Sequence, residues 1–180
     1  IVHETGHEWF ANNITHNDIA DMWIHESFTN YSESLFLEYH YDQEKAYQYV
    51  RGTRLNIQNK SPIIGQYGLH QEGSSDMYDK GGNMLHTIRQ IIDNDKTWRE
   101  ILRGLNKKFY HGIAETAQVE NYISEKSGKN LSKVFDQYLR DIRIPTLEYF
   151  VKNNQMQYRW SNTIDGFDMP IKVTIAGETQ

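Results

Sequence analysis

Apolar positions recur at helical spacing along most of this chain. Phe28, Tyr31, Leu35 and Tyr39 repeat every three to four residues and predict a helix over about residues 24–39, with Glu26, Asn30 and Glu33 on its polar stripe. His3, His7, Phe10 and Ile14 share the same spacing, so a first helix is expected over residues 2–14, ending at Asn12-Asn13. A more polar helix should cover residues 43–57 and lie outside. The pattern lapses over residues 60–77, where Ser61-Pro62, Gly65, Gly68 and Gly73-Ser74-Ser75 mark a long loop. Loops of that length are usually functional or mobile. Helical spacing resumes with Met84, Leu85, Ile88, Ile91 and Ile92, then with Trp98, Ile101, Leu102, Leu105 and Phe109. A sixth helix over residues 117–126 should stop at Ser127-Gly128. Leu131, Val134, Phe135, Tyr138 and Leu139 define a seventh, with Asn130 as its cap.

After Ile144-Pro145 the period changes. Residues 147–151, 156–160 and 171–175 read as short strands, the first two split by Asn153-Asn154 and the last two by Gly166. Three strands do not close a sandwich. The expected organisation is therefore a helical unit over residues 1–145 and the start of a β domain over residues 146–180.

Composition narrows the class. In 180 residues, 38% are hydrophobic and 13% aromatic, enough for a core. The net charge of −5, from 19 basic and 24 acidic residues, argues against a general nucleic-acid binder. The absence of cysteine excludes disulfides and thiolate metal sites, and leaves the compartment open. No apolar run is long enough for a transmembrane segment, and no signal peptide is evident. The chain starts at Ile1, almost inside its most informative motif, so a piece of a longer protein is expected.

That motif is His3-Glu4-Thr5-Gly6-His7, of the form H-E-x-x-H. Histidines four apart on a helix lie on one face and can present two imidazoles to one metal ion. Glu4, one step round, can reach a water at that ion and act as general base. Catalytic zinc takes three protein ligands and keeps one position open. Glu26 is the best third candidate, because a turn and a returning helix would bring it beside the histidines. Glu33, seven residues further, faces the same way and can orient a ligand histidine.

His3-Glu4-x-x-His7, followed after an 18-residue gap by Glu26 within Trp23-Ile24-His25-Glu26-Ser27-Phe28, resembles the M1 family of zinc aminopeptidases, of the gluzincin branch. Glu8-Trp9-Phe10-Ala11-Asn12, Tyr78-Asp79-Lys80-Gly81-Gly82, Ser127-Gly128-Lys129-Asn130-Leu131 and Phe135-Asp136-Gln137-Tyr138 are similar to further segments of that family. The resemblance implies the helical C-terminal half of a thermolysin-like zincin domain, followed by the first strands of a β domain. It implies one Zn2+ bound by His3, His7 and Glu26, with Glu4 as base, Tyr78 stabilising the oxyanion and peptides as substrates. An endopeptidase, an epoxide hydrolase and a non-catalytic scaffold are the alternatives.

Departures are local. His25 stands where the family usually has Asn, and Ser27 and Thr29 replace Gly and Ala. The family's upstream G-x-M-E-N segment, whose Glu holds the substrate amine, does not occur in these residues, so aminopeptidase specificity rests on the resemblance alone. An upstream half of the catalytic domain is expected to pack against this chain, and the chain alone to be weakly active or inactive. His16, His40, His70, His86 and His111 lack metal spacing and read as structural or surface residues. Asp93-Asn94-Asp95 starts like a calcium loop, but Trp98 stands where the turn glycine belongs.

Overall fold

The computed structural model describes residues 1–153, 155–175 and 178–179. The chain is predominantly helical. In order it forms α1 (Val2–Gly6), β1 (Ile14–His16), α2 (Trp23–His40), α3 (Gln43–Thr53), α4 (Asp79–Ile92), α5 (Asp95–Lys108), β2 (Gly112–Ala114), α6 (Thr116–Ser127) and α7 (Ser132–Phe135). A π-helical turn, Asp136–Arg140, continues α7. Four short strands follow: β3 (Thr146–Lys152), β4 (Gln155–Ser161), β5 (Thr174–Ile175) and β6 (Glu178–Thr179). None of the described helices is long and apolar enough to cross a membrane.

Local chemistry sets the helix ends. Asp42 caps α3 by accepting from Lys45 N at 2.7 Å, and Asn94 caps α5 by accepting from Thr97 N at 2.9 Å. Glu115 and Gln118 form a reciprocal capping box on α6, and Gly128 closes it at φ +68. Ahead of α7, Asn130 Oδ1 accepts from Ser132 N at 3.1 Å, although Leu131 occupies the cap position itself.

The core surrounds α2. Its Trp23, Ile24, Phe28 and Tyr31 are buried with Met84, Leu85 and Ile88 of α4, Trp98, Ile101 and Leu105 of α5, and Phe135. Each such side chain contributes about 1.5–3 kcal/mol by leaving water. α4 approaches α2 very closely at Gly81 and Gly82. A Cβ on Gly81 would stand 1.9 Å from Ser27 Oγ, and one on Gly82 would stand 2.1 Å from Asn30 Oδ1. At Gly81 the space is closed by Ser27 down to its Cβ, whereas at Gly82 a side chain would displace the Asn30 amide.

Three expectations need correction. The first helix ends at Gly6, not at residue 14, and Ile14 begins a strand. Asn13 draws the chain away: its amide donates to Asn106 Oδ1 at 2.9 Å, its Oδ1 accepts from His111 N at 2.9 Å, and β1 then pairs in parallel with β2. Tyr39 is exposed rather than part of the buried stripe, lying one residue before the end of α2. The strand over 171–175 is reduced to Thr174–Ile175, which pairs with β6.

The long loop is tied down along its length. Ile63 is buried, Ile64 N donates to Leu139 O at 3.1 Å, Gly65 N to Ala20 O at 3.1 Å and Ser74 N to Pro62 O at 3.1 Å. β3 and β4 form an antiparallel hairpin from Thr146↔Ser161 to Lys152↔Gln155. Of the pair expected to turn it, Asn153 has a positive φ of 50, as a tight turn requires, while Asn154 lies outside the described residues. Beyond the hairpin, Phe167 joins the helical core and Trp160 Nε1 donates to Met169 O at 2.8 Å.

Candidate metal centre

The site lies where α1 meets the first half of α2. Asp21, buried just before α2, accepts from Thr116 Oγ1 at 2.6 Å and from Thr116 N at 3.1 Å; Thr116 Oγ1 in turn accepts from Trp23 Nε1 at 2.6 Å. This network fixes where α2 starts, and Glu26 follows one turn later. Gly6 lets α1 sit against α2: a Cβ there would approach Thr29 Cγ2 to 3.0 Å. His7 lies just past the last residue of α1 but keeps helical angles (φ −63, ψ −15), so the four-residue step still sets both imidazoles on one side.

His3 Nε2 lies 3.1 Å from Glu26 Oε2, and His7 Nε2 lies 3.6 Å from the same oxygen. Among the described residues, His3, His7 and Glu26 are the one group of three or more His, Asp or Glu side chains placed to share a metal ion. The other nitrogen of each ring is committed. His3 Nδ1 lies 3.0 Å from Glu33 Oε1 and His7 Nδ1 lies 3.0 Å from the carbonyl of Phe10, with Thr29 Oγ1 3.2 Å away. A carboxylate and a carbonyl only accept, so both Nδ1 atoms carry protons. Nε2 of both rings is thereby left to face Glu26 Oε2, where a cation shared by the three atoms can be held. Two donors about 2.1 Å from a tetrahedral ion stand about 3.4 Å apart, and the two measured separations bracket that. The donor set therefore fits zinc.

Two further groups border this cluster. Glu4 is exposed on α1, with no hydrogen-bond or ion-pair partner among the described residues. Tyr78, between a 3-10 turn (Ser75–Met77) and α4, sets its ring 5.9 Å from that of His3. Its phenol is pushed up by burial first, then by Glu26, Glu72 and Glu4. It remains a donor well above neutral pH. Ser27 Oγ donates to Met77 O at 2.6 Å, a buried bond that holds the backbone entering Tyr78 against α2.

Several contributors escape sequence reading. The Phe10 carbonyl carries no side-chain signal, and Tyr49 of α3 reaches Glu33 Oε2 across a helix–helix contact that no spacing rule reveals. Thr29 and Ser27 stood out only as departures from the family pattern. His25 packs away from the cluster. It stacks on His16 with ring centroids 4.3 Å apart, its Nε2 accepts from His16 N at 3.1 Å, and burial lowers its pKa to about 4.

Fold and donor set together define a helical domain with an H-E-x-x-H candidate metal centre. Residues 1–138 match the Peptidase family M1 domain, and the chain belongs to that family. Aminopeptidase N of Lactococcus lactis subsp. lactis is 24% identical over 163 residues, covering 82% of this chain and 19% of that protein. Alanine/arginine aminopeptidase of Saccharomyces cerevisiae is 24% identical over 179 residues, covering 92% of this chain and 21% of that protein. The chain thus spans about a fifth of these relatives. In fold it is similar to an M1 zinc metallopeptidase from Deinococcus radiodurans (TM-score 0.67, 21% identity, 80% of this chain, 33% of that one). It is also similar to leukotriene A4 hydrolase from Saccharomyces cerevisiae (TM-score 0.66, 18% identity, 78% of this chain, 25% of that one).

Proposed function

We propose that this chain carries the metal-binding and proton-transfer residues of a zinc aminopeptidase that removes N-terminal residues from peptides. The observation that carries the reading is the convergence of His3 Nε2, His7 Nε2 and Glu26 Oε2, with each Nδ1 proton already engaged elsewhere. The names of its relatives supply the aminopeptidase class.

His3, His7 and Glu26 would hold the ion. When bound, zinc supplies Lewis acidity, which polarises a carbonyl and makes water acidic enough to attack near neutral pH. Glu4, with no hydrogen-bond or ion-pair partner among the described residues, takes the proton of the attacking water and returns it to the leaving amine. Tyr78 donates its hydroxyl hydrogen to the carbonyl oxygen as negative charge grows there. Glu33 and the Phe10 carbonyl keep the Nδ1 protons in place, so that both Nε2 lone pairs stay directed inward. Residues 1–145 would be the helical part of the catalytic domain, packed against an upstream half, and residues 146–180 would open a β domain.

The test uses the natural full-length protein, with an aminoacyl reporter and its N-acetylated counterpart. Cleavage of the free-amine reporter alone, lost on zinc chelation and restored by zinc, is expected. Equal cleavage of both reporters would overturn the aminopeptidase reading. Equal zinc content in the protein and its His7→Ala variant would overturn the ligand assignment.

A further inference from the structure

Tyr49 lies half-buried on α3, a helix that buries only Ala46 and Val50. Its hydroxyl donates to Glu33 Oε2, while Glu33 Oε1 accepts from His3 Nδ1 at 3.0 Å. The three side chains come from α3, α2 and α1, and form one hydrogen-bonded line ending at a proposed metal ligand. We propose that Tyr49 is a positioning residue for the metal centre, acting on His3 through Glu33. This rests on His3, His7 and Glu26 being the zinc ligands.

A carboxylate held by one hydrogen bond remains free to swing about it. Glu33 has three rotatable bonds, and a side chain of that type loses much rotamer freedom when ordered. A single bond from His3 offsets little of that. A second bond, to the other oxygen and from a different helix, fixes the carboxylate plane and with it the His3 ring. The hydroxyl suits the task. Burial and the neighbouring Glu33 carboxylate push its pKa upward, so it donates throughout the neutral range. An opposing effect exists, because a donor on Oε2 drains charge from Glu33 and makes the His3 ring less basic. Orientation is expected to prevail, since partners behind metal ligands typically change affinity by about 10- to 100-fold. One bond further out, the lower end of that range applies.

The experiment measures zinc affinity by chelator competition on the natural full-length protein and its Tyr49→Phe, Glu33→Ala and doubly substituted forms. Tyr49→Phe should bind zinc about 10-fold more weakly. Glu33→Ala should lose at least as much, and adding Tyr49→Phe to it should cause no further loss. A packing role for Tyr49 would act without Glu33 and give additive losses. Unchanged affinity in Tyr49→Phe, or additivity in the double variant, overturns the proposal. If the unsubstituted protein binds no zinc, or His7→Ala binds it equally, the metal-centre reading fails instead.

Discussion

At the C-terminal end of α2, both oxygens of Glu38 meet the Arg89 guanidinium at 2.6 and 2.8 Å, and Arg89 Nε takes Asp95 at 2.7 Å. Over the N-terminal and middle turns of the same helix, Glu26 and Glu33 face two imidazoles and two phenols, and neither pairs with a lysine or arginine among the described residues. The first arrangement is complete. Arg89 is 6% exposed, its donors are matched by carboxylates, and Trp98 Nε1 bonds Tyr31 at 3.0 Å in the same region. The second leaves Nε2 of both imidazoles and a Glu26 oxygen converging where a cation can bind. One helix thus separates a network that stabilises the fold from a donor set with room for chemistry, and the difference lies in the partners rather than in the glutamates.

Substitutions at the two ends should therefore affect different measurements. Glu4→Gln should lower kcat about 1,000-fold in the natural full-length protein while leaving its zinc content intact; a parallel loss of zinc would show that Glu4 belongs to the ion and not to the water. Arg89→Met should cost about 3 kcal/mol of stability, because it leaves Glu38 unpaired beside the core. Urea unfolding would read that loss, and zinc affinity should not move. Tyr78→Phe should lower kcat about 100-fold with little change in KM, as expected of a bond made mainly in the transition state.

Acid should act at both ends of α2, because His25 beside Glu26 and His86 beside Arg89 are each depressed to about 4. Burial, and then the positive charges of Arg89 and Arg54, lower the pKa of His86 to about 4 from an ordinary 6.5. Between those values the unfolded chain binds a proton that the folded chain refuses, so stability falls as pH drops through that window and is flat above it. From pH 7 to pH 5 this amounts to about 2 kcal/mol. His86→Gln should remove that part of the acid sensitivity, and identical pH slopes for both proteins would refute the assignment. The smallest effect is expected from Ser27→Ala: about 1 kcal/mol of stability, with a modest fall in kcat as the backbone before Tyr78 loosens.

What the sequence makes legible follows how locally each feature is determined. α2, α4 and α5 carry their own apolar stripes, and the candidate ligands His3, His7 and Glu26, which the structure brings together, come from a spacing rule plus two neighbouring helices. The end of α1 is not local. Phe10 and Ile14 keep helical spacing, yet the bonds of Asn13 to Asn106 and His111, some 95 residues away, turn the chain into β1. β2 is three residues long, too short for any alternation to register. Tyr49 shows the same limit at the site. Its role depends on the angle at which α3 crosses α2, and composition says nothing of that.

The C-terminal end of α1 has a consequence for how the candidate metal centre assembles. The helix stops at Gly6, so His7 stands just past it, where the last turn of a helix lacks partners for its carbonyls and frays. The segment's order is thus borrowed from α2, through Gly6 against Thr29 and His3 against Glu33. Binding an ion at His3 and His7 would clamp both ends of that turn, so metal capture and local folding become a single equilibrium. In hydrogen exchange, the amides of α1 should be among the fastest to open when zinc is removed, while those of α4 and α5 hold their protection. The centre would then behave as a latch set by its own cargo.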